Sequence, residues 1–134
     1  MTSNTLSPDL EYYIGRLQPQ YESASQAEIG RMLDEYGILF FYKQATLIYQ
    51  GGRRKIWHPD FTLPTFDNIV IEYNADAESI RDPAVKGDVY RQNNIAAIFL
   101  NKTDLARPDW RQRLYVRLQE LYSQPFTSRC NQRR

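Results

Sequence analysis

Two carboxylates raise the chemical question of this sequence. In KIWHPDFTLPTFDNIVIEYNAD, residues 55–76, Asp60 and Glu72 stand twelve positions apart at the ends of two apolar runs. A half-buried carboxylate is costly unless a cation, a hydrogen-bond donor or a shifted pKa compensates it. Two of them on consecutive strand-like segments suggest a shared purpose.

The elements that must position them follow from periodicity and turn chemistry. NIVIEYN has the composition of a central strand. Upstream, ILFFYKQ (38–44) and TLIYQ (46–50) are aromatic and β-branched. Gly51-Gly52 then signals a hairpin leading into RRKIWHPDFTL, where Pro59 implies a strand edge or bulge because it removes a ladder donor. SPDLEYYIGRL predicts a helix capped by Ser7. SASQAEIGRMLDEYG predicts a second, with Ser25 and Glu28 as a capping box and Gly37 as its stop. After a polar loop over 75–82, PAVKGDVYRQNN predicts a helix opened by Pro83, and IAAIFLN a buried strand. RPDWRQRLYVRLQELYSQ is amphipathic, with Trp110, Leu114, Leu118 and Leu121 on one face. A strand–helix–strand passage between 68 and 101 would join parallel strands, so the expectation is α/β with a mixed sheet flanked by helices.

Length and composition bound the rest. The 134 residues suit a single domain, and 42% hydrophobic with 25% charged residues suits an ordinary globular chain. The longest apolar run, YGILFFY, is too short for a bilayer span, and the N-terminal sequence has no signal-peptide pattern; a cytoplasmic location is expected. A single cysteine, Cys130, rules out an internal disulfide and a cysteine-rich zinc site. The net charge of +1 is unevenly spread: residues 1–36 and 59–91 each carry −4, residues 43–58 carry +4 and residues 107–134 carry +5. An acidic centre between basic flanks suits a metal site beside a grip on a polyanion, or equally a solvated surface with helical salt bridges.

HPDF, a turn and IVIEYN together resemble the PD-(D/E)XK nuclease superfamily, the fold of many restriction enzymes, Vsr-type mismatch endonucleases and Holliday-junction resolvases. The resemblance covers roughly 23–106, leaving 1–22 as a helical extension and 107–134 as an Arg-rich helix and tail. It implies an αβββαβ restriction-endonuclease-like core and Mg²⁺-dependent hydrolysis of DNA phosphodiester bonds, with Mn²⁺ able to substitute. It implies Asp60 and Glu72 as metal ligands, Glu28 as a third acid and the carbonyl of Tyr73 as a backbone ligand. The family's lysine normally lies two residues after the second acid, where this sequence has Asn74. Asn74 can orient water or phosphate but cannot supply charge. Lys86, on the following helix, is the candidate for a migrated lysine, with Arg81 a weaker substitute. Lys43, Arg53, Arg54 and Lys55 are the expected phosphate contacts, with Arg111 and Arg117 a second group. The enzyme would act as a monomer nicking one strand or as a homodimer cutting both. The rival expectation is a DNA-binding or assembly module on the same fold that has lost catalysis. Bland roles compete for each residue: Glu28 as cap, Lys86 as exposed helix lysine, His58, Trp57 and Tyr73 as packing groups, and Tyr90 and Arg91 facing sheet and solvent.

Overall fold

The computed structural model describes residues 19–74 and 81–124; the predicted helix near Ser7, the loop over 75–80 and the tail from Pro125 lie outside them. Helix α1 (Ala24–Glu35) is capped by Ser23, whose Oγ accepts from the Gln26 N–H at 3.1 Å. The cap therefore lies two residues before the expected Ser25, and Glu28 is exposed within the helix. Gly37 does end the segment, in a left-handed conformation (φ 69°) that a residue with a Cβ adopts at a cost. Ile29, Met32 and Leu33 form the buried stripe.

Six strands follow: β1 (Phe41–Tyr42), β2 (Thr46–Gln50), β3 (Arg53–Trp57), β4 (Phe61–Leu63), β5 (Ile69–Asn74) and β6 (Ala97–Asn101). Helix α2 (Arg81–Gln92) lies between β5 and β6, beginning two residues before Pro83 and so taking Arg81 and Asp82 out of the expected loop. The short α3 (Lys102–Leu105) and the long α4 (Trp110–Ser123) close the described chain.

The main sheet runs β1-β4-β5-β6, antiparallel except for the β5–β6 pair, which α2 connects in parallel as the sequence predicts. The molecule is thus α/β with a mixed sheet and flanking helices. Two expected strands are shorter than the composition suggests. Of 38–44, only Phe41 and Tyr42 pair, because Lys43 turns the backbone to φ 58°. Residues 53–63 break at His58-Pro59, so β3 and β4 belong to different sheets. β2 and β3 form a separate hairpin whose Gly51 and Gly52 both have positive φ, as a two-residue turn of matching twist requires.

Apolar residues on the two faces of the sheet make two cores. On one face Phe61, Leu63, Ile69 and Ile71 pack with Ile29, Met32 and Leu33 of α1 and with Trp110, Leu114, Leu118 and Leu121 of α4. On the other, Val70 packs with Ile48 of the hairpin and with Val89 and Tyr90 of α2. Each fully buried aliphatic contributes about 1.5–3 kcal/mol relative to exposure. Alternation along β5 puts Ile69, Ile71 and Tyr73 on the first face, and Val70, Glu72 and Asn74 on the second. No helix among the described residues is long and apolar enough to cross a membrane.

Candidate carboxylate site

The β4–β5 register pairs Phe61 with Ile71. One step further, Asp60 at the mouth of β4 comes beside Glu72 on β5. Both are buried, at 3% and 8% exposure. Each is compensated differently.

Asp60 uses both oxygens. Oδ2 accepts the Tyr73 backbone N–H at 2.7 Å, and Oδ1 lies 2.8 Å from Lys43 Nζ. Lys43 also reaches Glu22 Oε1 at 3.2 Å, and its own backbone N–H donates to the Asp60 carbonyl at 3.0 Å. Burial pulls the Lys43 ammonium toward neutrality, but the hydrogen bond and charge of Asp60, then those of Glu22, outweigh it and raise its pKa above the ordinary lysine value. Glu22 is held just before α1, where its N–H donates to Tyr42 Oη at 2.9 Å and to Gln26 Oε1 at 3.1 Å. Tyr42 Oη in turn donates to Gln26 Oε1 at 2.6 Å. Tyr21 lies over Gly30, occupying the place a Cβ there would need, and its ring meets that of Tyr42 edge-on at 4.8 Å.

Glu72 is served from α2. Lys86 Nζ lies 3.4 Å from Oε1 and 3.5 Å from Oε2, and the Tyr90 hydroxyl donates to Oε2. Lys86 and Tyr90 are four residues apart, so one helix face presents both. Burial, followed by the Glu72 hydrogen bond and charge, pushes the Tyr90 pKa far above the ordinary phenol value, so Tyr90 remains a donor. Trp57 closes the outer side: its ring crosses Tyr90 at 5.2 Å and 86°, and Lys86 Nζ sits 5.8 Å from its centroid. His58, beside it in sequence, is exposed.

The structure places Asp60 beside Glu72 and Lys86 against Glu72, with Asn74 half-buried on the Glu72 face of β5. In the β5–β6 ladder the Val70 N–H bonds to Ala96 O, so alternation points both backbone groups of Tyr73 the other way, toward Asp60. Glu28 is not brought in: among the described residues no three His, Cys, Asp or Glu side chains are close enough to hold an ion together. The acid nearest that role is Glu22, linked through Lys43. Lys43, expected among the outward phosphate contacts, is paired with Asp60 and Glu22. Arg53, Arg54 and Lys55 are exposed on β3. Arg111 lies over the Trp110 ring at 4.8 Å, while Arg117 lines a cleft of about 400 Å³ with Arg107 and Arg113.

Sequence reasoning passed over Glu22, assigned Lys43 to phosphate contact rather than to Asp60, and read Tyr90 as a packing group. The spacing of Tyr90, one helical turn beyond Lys86, was the available signal. None marked Lys43 as the counter-ion of Asp60, since its aim depends on a left-handed backbone. Comparison with protein-family models, with curated proteins and with solved structures finds no match.

Proposed function

We propose that the protein is a metal-dependent DNA endonuclease of the PD-(D/E)XK type. The observation that carries this reading is the pair of buried carboxylates on adjacent strands, each balanced by a lysine ammonium. The order α1, β1, β4, β5, α2, β6 also supports it, since with the hairpin set aside it reads αβββαβ with the last two strands parallel.

The donor set fits Mg²⁺, which is commonly held by one or two carboxylates together with waters and substrate phosphate oxygens. Asp60 and Glu72 would hold it, and the two lysines mark where the protein already accommodates positive charge. A bound Mg²⁺, or Mn²⁺ in its place, would supply Lewis acidity and activate water for attack on phosphorus. The chain's own groups do the rest. Tyr90 fixes the Glu72 carboxylate by a hydrogen bond that stays protonated. The Tyr73 N–H fixes Asp60. Lys86 places a cation beside Glu72, where charge develops on the phosphate, and Lys43 does the same beside Asp60. Asn74 orients a water or phosphate oxygen. The proposed substrate is DNA, the setting cytoplasmic, and a homodimer would be needed to cut both strands together.

A second reading, a DNA-binding or assembly module without catalysis, is favoured by Asn74 at the usual lysine position and by the occupation of both carboxylates by lysines. One experiment separates them: supercoiled plasmid and single-stranded DNA are incubated with the protein in Mg²⁺, Mn²⁺ or EDTA, beside Asp60→Asn. Nicking that needs the metal and vanishes in the variant supports the nuclease. DNA retention in a gel with no metal-dependent cleavage supports the module. Cleavage that persists in Asp60→Asn removes this site from the chemistry.

A further inference from the structure

Among the described residues strand β6 ends the main sheet, and its free edge opens on a cleft that the carboxylate site does not use. The β5–β6 register sets Phe99 beside Glu72 and Ile98 beside Ile71, so Ile98 and Leu100 point to the face opposite the carboxylates. With Trp110 and Leu114 of α4 they form the apolar floor of the cleft, whose volume is about 400 Å³.

Phe99 also lines the cleft, yet its ring lies on the other face, 6.3 Å from that of Tyr90, so what it presents here is main chain. The ladder sets the direction. Val70 N–H donates to Ala96 O, so Ala96, Ile98 and Leu100 bond to β5, while the N–H and C=O of Ala97, Phe99 and Asn101 point outward. Asn101 shows the same direction, since its N–H donates to Asp104 Oδ2 at 2.9 Å. No strand among the described residues pairs with Ala97 or Phe99 from that side. An open strand edge is a template for another chain.

The opposite rim is basic. Arg113 and Arg117 stand one turn apart on α4, and Arg107 lies just before that helix. Arg117 is half-buried and makes no ion pair with any described residue. Arg113 has only a 3.8 Å contact with the exposed Asp109. Of the two acids in the lining, Asp104 is engaged by Asn101 and Glu120 is exposed.

Three features select the occupant. The arginines require negative charge, the floor requires apolar groups, and Phe99 requires an acceptor and a donor at peptide spacing. A phosphodiester backbone carries acceptors alone and would leave the Phe99 carbonyl without a donor. A small carboxylate or phosphate would leave most of the edge unanswered. An extended peptide with acidic and apolar side chains answers all three.

We infer that the cleft between β6 and α4 binds an extended acidic peptide segment of a partner protein. The segment adds to the free edge of β6 at Phe99, and Arg107, Arg113 and Arg117 receive its carboxylates. This surface lies on the other face of the sheet from Asp60 and Glu72, so the inference does not rest on the nuclease reading.

The test is fluorescence anisotropy in EDTA at fixed salt, with a labelled peptide of alternating glutamate and valine as probe. Two controls accompany it: a peptide of alternating lysine and valine, and the glutamate–valine peptide with every backbone nitrogen methylated, which keeps the charge and loses the main-chain donors. The full chain should bind the probe more tightly than either control. Arg117→Gln should weaken binding about 10- to 150-fold, the range for losing a hydrogen bond to a charged group. Arg113→Gln should weaken it about fivefold or less, because that arginine is exposed and shared with Asp109. Hydrogen exchange followed by NMR should show the Phe99 amide protected by the probe. No binding of the probe, equal binding of either control, unchanged affinity in Arg117→Gln or unchanged exchange at Phe99 would each overturn the inference. So would displacement of the probe by oligo(dT) at comparable concentration, since the arginines would then serve phosphates. A dimer in sedimentation that the probe dissociates would also overturn it, since a second copy would then occupy the edge.

Discussion

The two halves of the carboxylate site solve one electrostatic problem by different means. Asp60 is balanced by a lysine on a strand end, close at 2.8 Å and shared with the exposed Glu22. Glu72 is balanced by a helix-borne lysine at 3.4 Å and by a buried neutral donor, Tyr90. The Asp60 half therefore joins a lysine aimed by an unusual backbone to a main-chain donor, the Tyr73 N–H, whereas the Glu72 half draws both its partners from side chains of one helix. A carboxylate with one strong counter-ion is the better candidate for exchanging that ion for a metal. A carboxylate fixed by a tyrosine is the better candidate for staying in place while it does so.

Removing either acid should have the largest effect, and it tests what the halves have in common. Asp60→Asn and Glu72→Gln should each lower plasmid nicking about a thousand-fold or more, the scale of several kcal/mol of lost charge stabilisation. Thermal unfolding followed by circular dichroism should still be cooperative in both. Retained nicking in either variant would confine the chemistry to the other half.

The lysines test the asymmetry directly. Lys43→Met strips the near counter-ion from a buried carboxylate and should cost about 3 kcal/mol, the low end for breaking a buried pair, because the Lys43 side chain is itself 30% exposed. Lys86→Met should cost no more than about 1 kcal/mol, since Lys86 is 43% exposed and Tyr90 remains to serve Glu72. Urea unfolding of the pair measures both. Equal costs would mean that the two halves are held alike.

How much of this arrangement the sequence disclosed differs between the halves, and for a physical reason. Glu72 and its helix partner were readable because both sit in regular structure. The apolar run of β5 announces a strand, and Lys86 falls on the helix that must follow. The parallel β5–β6 pairing and the Gly51-Gly52 hairpin were readable in the same way, as was the apolar stripe of Trp110, Leu114, Leu118 and Leu121. The environment of Asp60 depends on irregular backbone. Lys43 reaches it only through φ 58°, which composition does not encode. The cap of α1 was ambiguous because Ser23 with Gln26 and Ser25 with Glu28 both match a capping pattern. Tertiary contact decides between them: the Tyr42 hydroxyl holds Gln26 inside, which starts the helix at Ala24 and leaves Glu28 in solvent.

Tyr90 sharpens the comparison through pH. Tyr90→Phe removes the neutral donor from Glu72 and should cost about 1–3 kcal/mol, the penalty for stripping a donor from a buried acceptor. The native Tyr90 keeps its proton well above the ordinary value of 10.0, where the unfolded chain has lost it. Above pH 10 the unfolded state thus binds fewer protons than the native one, and stability falls as pH rises. Lys43 acts in the same direction: its contribution is full below its ordinary value of 10.5 and is lost as pH climbs through its raised native value. Melting temperatures between pH 9 and 11.5 should therefore decline less steeply in Tyr90→Phe than in the parent. An unchanged slope would show that Tyr90 titrates freely.

Glu22 should have the smallest effect, and its size decides whether the Asp60 half has one partner or two. Its side chain is mostly in solvent, so its pairing with Lys43 is screened, and Glu22→Gln should cost at most about 0.5 kcal/mol. It should also lower the Lys43 pKa slightly, because one of the two charges that hold the ammonium protonated is gone. Asp60 would keep its own 2.8 Å contact throughout. If urea unfolding instead gives Glu22→Gln a cost near that of Lys43→Met, Glu22, Lys43 and Asp60 act as a single unit. The Asp60 half would then be a three-membered network that no single lysine controls, and the contrast with Glu72 would lie in the number of members, not in the distance of one cation.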